Sequence, residues 1–227
     1  MTQSFGSSLL AVSLITGAAS LGIVAKLFIP GVAGQILLAL TRVGMLVLPL
    51  IWVRWIDRSE YKLSFPNRSE LQTGIGLGLL MFAMILIAYG SIGKHLIEVE
   101  QIRSKAEQIG IRTPRIYLAG AFYFTLINSL IEEFVWRWFV YQKCELLNRD
   151  RAVWIAAFCF TLHHSIALIA YTQSGLVTLL GSIAVFAAGA IWSKCYLAYR
   201  SLWSGYISHL LADLAIAIVG WHLLFEG

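Results

Sequence analysis

Long blocks without charge are the sequence feature that most restricts how this chain can fold. Residues 1–25, 71–93 and 173–193 contain no Asp, Glu, Lys or Arg. A helix needs ~20 apolar residues to cross a bilayer, and each block has about that length. Charged residues make up 13% of the chain, about half the share that a soluble domain carries. The sequence therefore predicts an all-α fold, a polytopic bundle of membrane helices.

The apolar blocks divide into seven predicted membrane helices. They cover residues 7–28, 36–55, 71–93, 116–141, 152–172, 174–193 and 201–224. Thr113 and Pro114 supply a capping residue and a helix-opening proline before the fourth helix. Gly74 and Gly78 in the third helix form a small-xxx-small pair, which is typical of close helix packing. Residues 94–115 form a polar connection that can hold a short surface helix.

The basic residues give this bundle an expected orientation. Five Lys or Arg residues lie in 142–151 and 194–200, and the connection between them near Gln173 has none. The positive-inside rule then favours a cytoplasmic N-terminus, although residues 94–115 carry five basic residues on the opposite side. Residues 1–25 lack the basic segment of a cleavable signal peptide, so we expect the first helix to stay in the membrane. Arg42, within the second helix, can line a cavity, but we expect its side chain to extend to the interface instead.

Several classes of function are excluded by what the sequence lacks. Cys144, Cys159 and Cys195 form no CxxC pair and, as an odd number, no complete disulfide framework. There is no glycine-rich phosphate loop and no aromatic-basic platform, so we expect no nucleic acid partner. The formal net charge of +5 fits a role in membrane topology. The expected surroundings of the chain are the lipid bilayer.

A small group of ionisable residues lies within the predicted membrane helices at one depth. They are Glu132, Glu133 and Arg137 on the fourth helix, His163 and His164 on the fifth, and His209 and Asp213 on the seventh. At ~1.5 Å per residue, all lie roughly 12–18 Å below the same membrane surface. Ionisable side chains at such depth are costly and usually face a bundle interior. The sequence therefore predicts a polar cavity shared by three helices.

The spacing within each helix indicates the chemistry of this cavity. Glu133 and Arg137 are four residues apart, so they can pair on one helix face. Glu132 points about 100° away from Glu133 and is free for another role. A carboxylate and imidazoles in one pocket can activate water, and further donors can stabilise a developing oxyanion. His163 points about 100° away from His164, and we expect it to lie outside the site.

Three motifs on these helices resemble those of the CPBP family of intramembrane glutamic proteases. They read EExxxR from Glu132 to Arg137, FxxxH from Phe160 to His164, and HxxxD from His209 to Asp213. The segment 201–209 is also similar to the family's approach to its last motif, and the resemblance covers about residues 113–216. That family includes the CAAX prenyl endoproteases and bacterial abortive-infection and bacteriocin-immunity relatives.

The resemblance implies a role for each matching residue. Glu132 would be the catalytic glutamate, and His164 would be its partner in activating water. His209 and the residue at position 213 would stabilise the tetrahedral intermediate, with the Glu133–Arg137 pair in support. No cofactor and no metal are expected, since the HExxH motif is absent. Residues 113–227 would be the catalytic helical core, and residues 1–112 would supply N-terminal membrane helices and polar loops.

Asp213 departs from the family pattern, since the prenyl proteases carry asparagine at this position. An ionised aspartate cannot donate a hydrogen bond to an oxyanion. Asp213 must therefore be protonated in its apolar site, or it orients His209 instead of contacting the substrate. The sequence leaves both alternatives open.

The favoured function is an intramembrane endopeptidase that hydrolyses a peptide bond in a membrane-associated protein or peptide, prenylated or not. The plasma membrane of a prokaryote is the expected location. Two alternatives from other classes stay open. One is a non-catalytic membrane scaffold or immunity protein of the same fold, although every motif position holds a residue capable of chemistry. The other is a proton-coupled transporter, although the chain has no inverted repeat and no broken-helix pair.

Overall fold

The chain is a multi-pass membrane protein built from helices. The computed structural model describes residues 5–29, 31–59 and 64–226, and no strand occurs in these ranges. Seven helices within them are long and apolar enough to cross a membrane, which confirms the predicted number and the all-α fold. They are α1 (Phe5–Phe28), α2 (Val32–Ile56), α3 (Arg68–Leu96), α5 (Pro114–Leu147), α6 (Ala152–Thr172), α7 (Gly175–Tyr199) and α8 (Trp203–Glu226). The short helix α4 (Val99–Gln108) lies in the polar connection between α3 and α5.

Helix α5 is longer than the sequence predicts. It begins at Pro114, where the Thr113 side chain accepts a hydrogen bond from the Ile116 amide, and it ends six residues beyond the predicted end at residue 141. Lys143 is therefore helical and buried, and its ammonium pairs with the Asp57 carboxylate. The predicted end of the fourth helix at residue 141 is wrong, and Lys143 lies within the helix, where the Asp57 carboxylate compensates its charge inside the protein.

The middle of α5 is not a uniform α-helix. The segments Tyr123–Asn128 and Phe134–Tyr141 are π-helical, and they flank a short α-helical stretch at Ser129–Glu133. Such wider turns occur frequently at functional sites. Here they surround the two adjacent glutamates. Apolar periodicity in the sequence does not distinguish these turns from ordinary α-helix.

Small residues let α3 pack closely against α8. A Cβ atom at Gly74 would lie 2.9 Å from the Ser204 carbonyl oxygen, and one at Gly78 would lie 2.6 Å from a methyl carbon of Leu211. Both separations are shorter than van der Waals contact, so only glycine fits without a shift of the neighbouring helix. The predicted packing role of the glycine pair is confirmed, and this contact fixes α8 and its polar residues.

Helix α5 lies at the centre of the bundle. It packs against α1, α2, α6, α7 and α8, and α1 also packs against α2 and α6. The side chains of Val135, Trp136, Phe139 and Val140 are almost completely buried there. Polar groups on α5 that point the same way as these residues are consequently enclosed by the other helices.

Candidate active site

Glu132 is the central polar side chain of the bundle. It is 4% exposed, and its two carboxylate oxygens have different surroundings. Oε1 accepts a hydrogen bond of 3.0 Å from Asn128 Nδ2 and lies 3.8 Å from Arg42 Nη1. Oε2 faces the Nε2 atoms of His164 and His209, at 3.9 and 3.7 Å. One oxygen is thus held by hydrogen bonding while the other faces two imidazoles.

The separations around Oε2 are suited to sharing a water molecule. They are longer than a direct hydrogen bond. When two groups each form a hydrogen bond of about 2.8 Å to one water, and the bonds meet at roughly a right angle, the two groups lie about 4 Å apart. Glu132, His164 and His209 can therefore bind the same water, although they lie on three different helices.

His164 is oriented by its own helix. Its Nδ1 lies 3.0 Å from the Phe160 carbonyl oxygen. Because a carbonyl only accepts, Nδ1 carries the hydrogen and Nε2 of the neutral ring has a free lone pair. That lone pair is directed towards the Glu132 side, where it can accept a hydrogen from water. The side chain is 27% exposed, so it is also the most accessible group around Oε2.

His209 is oriented by Glu133. Its Nδ1 donates a 3.0 Å hydrogen bond to Glu133 Oε1, since the carboxylate can only accept. This bond directs Nε2 towards Glu132. The ring also stacks on Trp192 of α7, with the ring centres 4.0 Å apart and the planes at 16°. The hydrogen bond therefore fixes the imidazole within the ring plane, and the stacking on Trp192 fixes it perpendicular to that plane.

Arg137 compensates the charge of Glu133 in a fully buried position. Its Nη1 lies 3.1 Å from Glu133 Oε1, so the pair expected from the spacing of four residues is present in the structure. The guanidinium carbon lies 4.3 Å from the ring centre of Phe160 and 5.0 Å from that of Trp192. A buried cation above aromatic faces gains electrostatic stabilisation. The phenylalanine of the second motif thus has a physical role beside the histidine.

Asp213 contacts Ser129 of α5. Its Oδ2 lies 2.8 Å from Ser129 Oγ and 3.7 Å from His209 Nε2. Ser129 Oγ also lies 2.6 Å from the Thr125 carbonyl oxygen, which can only accept. A hydroxyl donates one hydrogen, so both Ser129 contacts are hydrogen bonds at the same time only when the Asp213 carboxyl carries a proton.

Some of these groups also have the composition of a metal site. Glu132, His163 and His164 each offer one ligand atom, and these atoms lie within 4.8 Å of one another. Carboxylate and imidazole ligands suit zinc, whose catalytic sites use three protein ligands. His163 stacks on Trp136, with the ring centres 5.2 Å apart and the planes at 7°. Its Nδ1 is buried without a hydrogen-bond partner among the described residues. The set can compose a three-ligand site, so a chelator test belongs with any assay of activity.

The structure places His163, which was expected outside the site, beside Glu132 and His164. It also adds four further residues that the sequence analysis did not place there. Arg42 was expected to reach the membrane interface, but it lies beside Glu132 instead, because Asn128 accepts its hydrogen bond there. Asn128 and Ser129 each precede a glutamate by four residues on α5, and that spacing is a signal that the sequence did offer. Trp192 stands on a helix without a buried charge, and nothing in its local sequence indicates its stacking partner.

A cavity of about 130 Å³ lies at one side of this cluster, between α2 and α5. Arg42 and Glu132 supply its charged groups, and most of its other lining is apolar, including Met45 and Val135. Val43, at its outer edge, is 59% exposed on the face of α2. An apolar segment that arrives from the α2 side therefore meets Arg42 and Glu132 together.

Comparison with known families identifies the matching part of the chain. Residues 114–215 match the family model described as type II CAAX prenyl endopeptidase Rce1-like. The match begins at the first residue of α5 and extends into α8, so it includes Glu132, His164, His209 and Asp213. Comparisons with curated proteins and with solved structures give no match.

Proposed function

We propose that this chain, which belongs through residues 114–215 to the Rce1-like family of type II CAAX prenyl endopeptidases, is an intramembrane endopeptidase with a glutamate base. Glu132 would take one proton from water, and His164 would accept a hydrogen bond from the second hydrogen of that water, which stays on its oxygen. His209 and Asp213 would stabilise the tetrahedral intermediate, and the Glu133–Arg137 pair would support them.

One observation carries this proposal. Glu132 Oε2 lies 3.9 Å from His164 Nε2 and 3.7 Å from His209 Nε2, whereas Oε1 is occupied by Asn128. A base must be within hydrogen-bond reach of the proton that it removes, directly or through one water. The free oxygen of Glu132 satisfies that requirement for a water held between the two imidazoles.

The proposed reaction is hydrolysis with one proton carried by Glu132. Water attacks the carbonyl carbon of the peptide bond, and Glu132 takes a proton from it as the new C–O bond forms. The carbonyl oxygen becomes an oxyanion, to which a protonated His209 donates from Nε2. Collapse of the intermediate breaks the C–N bond, and Glu132 returns the proton to the leaving amine nitrogen.

The proposed substrate is a membrane-associated peptide or protein. The catalytic groups lie inside a membrane bundle, and the apolar cavity beside Arg42 and Glu132 suits an apolar segment of such a chain. The proposal covers substrates with and without a prenyl group, since the family resemblance leaves both open, and it places the protein in the plasma membrane of a prokaryote.

The test is cleavage of fluorogenic peptides, with and without a prenyl group, by purified protein in detergent. Glu132→Gln keeps the shape of the side chain but removes the base, so kcat should fall by about 10³-fold. Glu100→Gln is the matched control. It is the same substitution, made at a glutamate of α4 whose side chain is 87% exposed. Equal loss in both variants would contradict a specific role for Glu132.

Two further arms separate the alternatives. Cleavage that survives a chelator supports a glutamic mechanism, whereas loss that zinc restores would assign Glu132, His163 and His164 to a metal. If the wild type cleaves no peptide, and wild type and Glu132→Gln bind a native partner equally, the endopeptidase proposal fails and the scaffold function takes its place.

A further inference from the structure

Arg42 stands outside the segment that matches the family, yet it reaches the candidate active site. It lies ten residues after the start of α2 at Val32, which is roughly 15 Å from that end of the helix. Its Nη1 donates a 2.6 Å hydrogen bond to Asn128 Oδ1 and lies 3.8 Å from Glu132 Oε1. The side chain of Arg42 is 38% exposed and lines the cavity between α2 and α5.

Asn128 links this arginine to the proposed base. Its amide has a carbonyl end that only accepts and an amino end that only donates. Arg42 can only donate, so its bond fixes the carbonyl end of Asn128 towards α2. The amino end then points towards α5, where Nδ2 donates to Glu132 Oε1 at 3.0 Å. The three side chains form a directional relay from Arg42 through Asn128 to Glu132.

The relay determines which oxygen of Glu132 is free. Oε1 is held by Asn128 and faces the Arg42 charge, so the carboxylate plane is fixed at that end. Oε2 remains towards His164 and His209. Without the relay, the carboxylate can rotate, and either oxygen can turn away from the imidazoles.

We infer that Arg42 and Asn128 are positioning residues that hold Glu132 with Oε2 directed at the water-binding space between His164 and His209. The inference rests on the proposed function, since the base role of Glu132 is itself proposed. It gives the N-terminal helices an indirect part in the reaction, through one side chain of α2 that orients the base.

The first test detects the hydrogen bonds of the Asn128 amide by NMR and does not depend on peptide cleavage. Asn67, Asn128 and Asn148 are the asparagines of the chain, so protein labelled with ¹⁵N-asparagine gives a simple side-chain amide spectrum. Arg42→Gln and Glu132→Gln should each shift the Asn128 amide signal. Asn67 and Asn148 bond to their own helix starts and serve as internal references. An Asn128 signal unchanged in Arg42→Gln would overturn the inference.

The second test separates positioning from substrate binding. Arg42→Gln should lower kcat by about 100-fold with little change in KM, because a displaced catalytic group costs rate and leaves binding intact. Arg42→Lys should recover part of kcat, since an ammonium still donates to Asn128. Asn128→Asp should be as poor as Arg42→Gln or poorer, because its carboxylate cannot donate to Glu132. Arg54→Gln, an exposed arginine of the same helix, is the control.

The outcomes distinguish this inference from the proposed function. A rise in KM with kcat retained in Arg42→Gln would overturn the positioning role and make Arg42 a substrate-binding residue. If the wild type cleaves nothing and binds a native partner as well as Glu132→Gln does, the proposed function fails, and the Asn128 signal still decides whether Arg42 orients Glu132 through the amide.

Discussion

Adjacent residues of α5 have different tasks because one residue turns the side chain by about 100°. Glu132 faces α2, α6 and α8, where Arg42 and two imidazoles surround it. Glu133 faces Arg137 and His209 and is completely buried. One carboxylate is thus oriented for proton transfer, and the other orients the histidine that faces the first.

At the residue scale, the role of Asp213 can be tested by one isosteric change. Asp213→Asn should retain most of kcat, because its amide donates to Ser129 in the way that a protonated carboxyl does. Asp213→Leu removes this contact and should lower kcat by about 100-fold. The measurement is kcat for both variants on the same peptide. An asparagine variant as inactive as the leucine variant would mean that an ionised carboxylate is required.

At the scale of helices, the contact between α3 and α8 controls where two site residues lie. Gly78 meets Leu211 and Ser208, and Ser208 immediately precedes His209 on α8. A displacement of α8 at this point therefore moves the imidazole relative to Glu132. The glycines of α3 act on the site without contacting it.

Gly78→Ala tests this dependence. The added Cβ would lie 3.0 Å from Leu211 Cβ and 3.1 Å from Ser208 Cα, and a change of rotamer moves neither atom. Helix α8 must therefore shift, and we expect kcat to fall by about tenfold or more. Gly76→Ala is the matched control on the same helix, because a Cβ there has no neighbouring atom within 4 Å. Peptide hydrolysis by the two variants gives the comparison, and equal activity would mean that the contact adapts without moving His209.

At the scale of the whole molecule, the N-terminal helices are connected to the family-matched core by charged groups. Arg42 of α2 reaches Asn128, and Asp57, directly after α2, pairs with Lys143 near the end of α5. The side chains of Asp57 and Lys143 are 4% and 3% exposed. Helix α2 is therefore held against α5 by two contacts, one within the helix at Arg42 and one just after its end at Asp57.

Removing one partner of the buried pair should destabilise the protein. Lys143→Met leaves the Asp57 charge without its partner, and we expect a loss of about 3–5 kcal/mol in the free energy of unfolding. The double variant Asp57→Leu with Lys143→Met should recover most of that loss, since no buried charge is left. Denaturant unfolding in detergent measures both. A double variant no more stable than Lys143→Met would show that the paired charges themselves are needed.

The sequence alone determined the features that depend on local composition and on spacing along one helix. Uncharged blocks predicted the seven membrane helices, since a bilayer imposes both their length and their apolar character. The four-residue spacing predicted the Glu133–Arg137 pair, which is a contact within one helix. Equal depth predicted that α5, α6 and α8 bring Glu132, His164 and His209 together.

Only the tertiary structure decided the contacts that depend on how each helix is rotated and how closely it approaches its neighbours. Arg42 meets Asn128 across 86 positions of sequence, and Glu133 bonds His209 across 76. Whether a membrane arginine extends to the interface or turns inward depends on whether an acceptor lies on the adjacent helix. That acceptor, Asn128, belongs to α5, and no pattern within α2 reveals it.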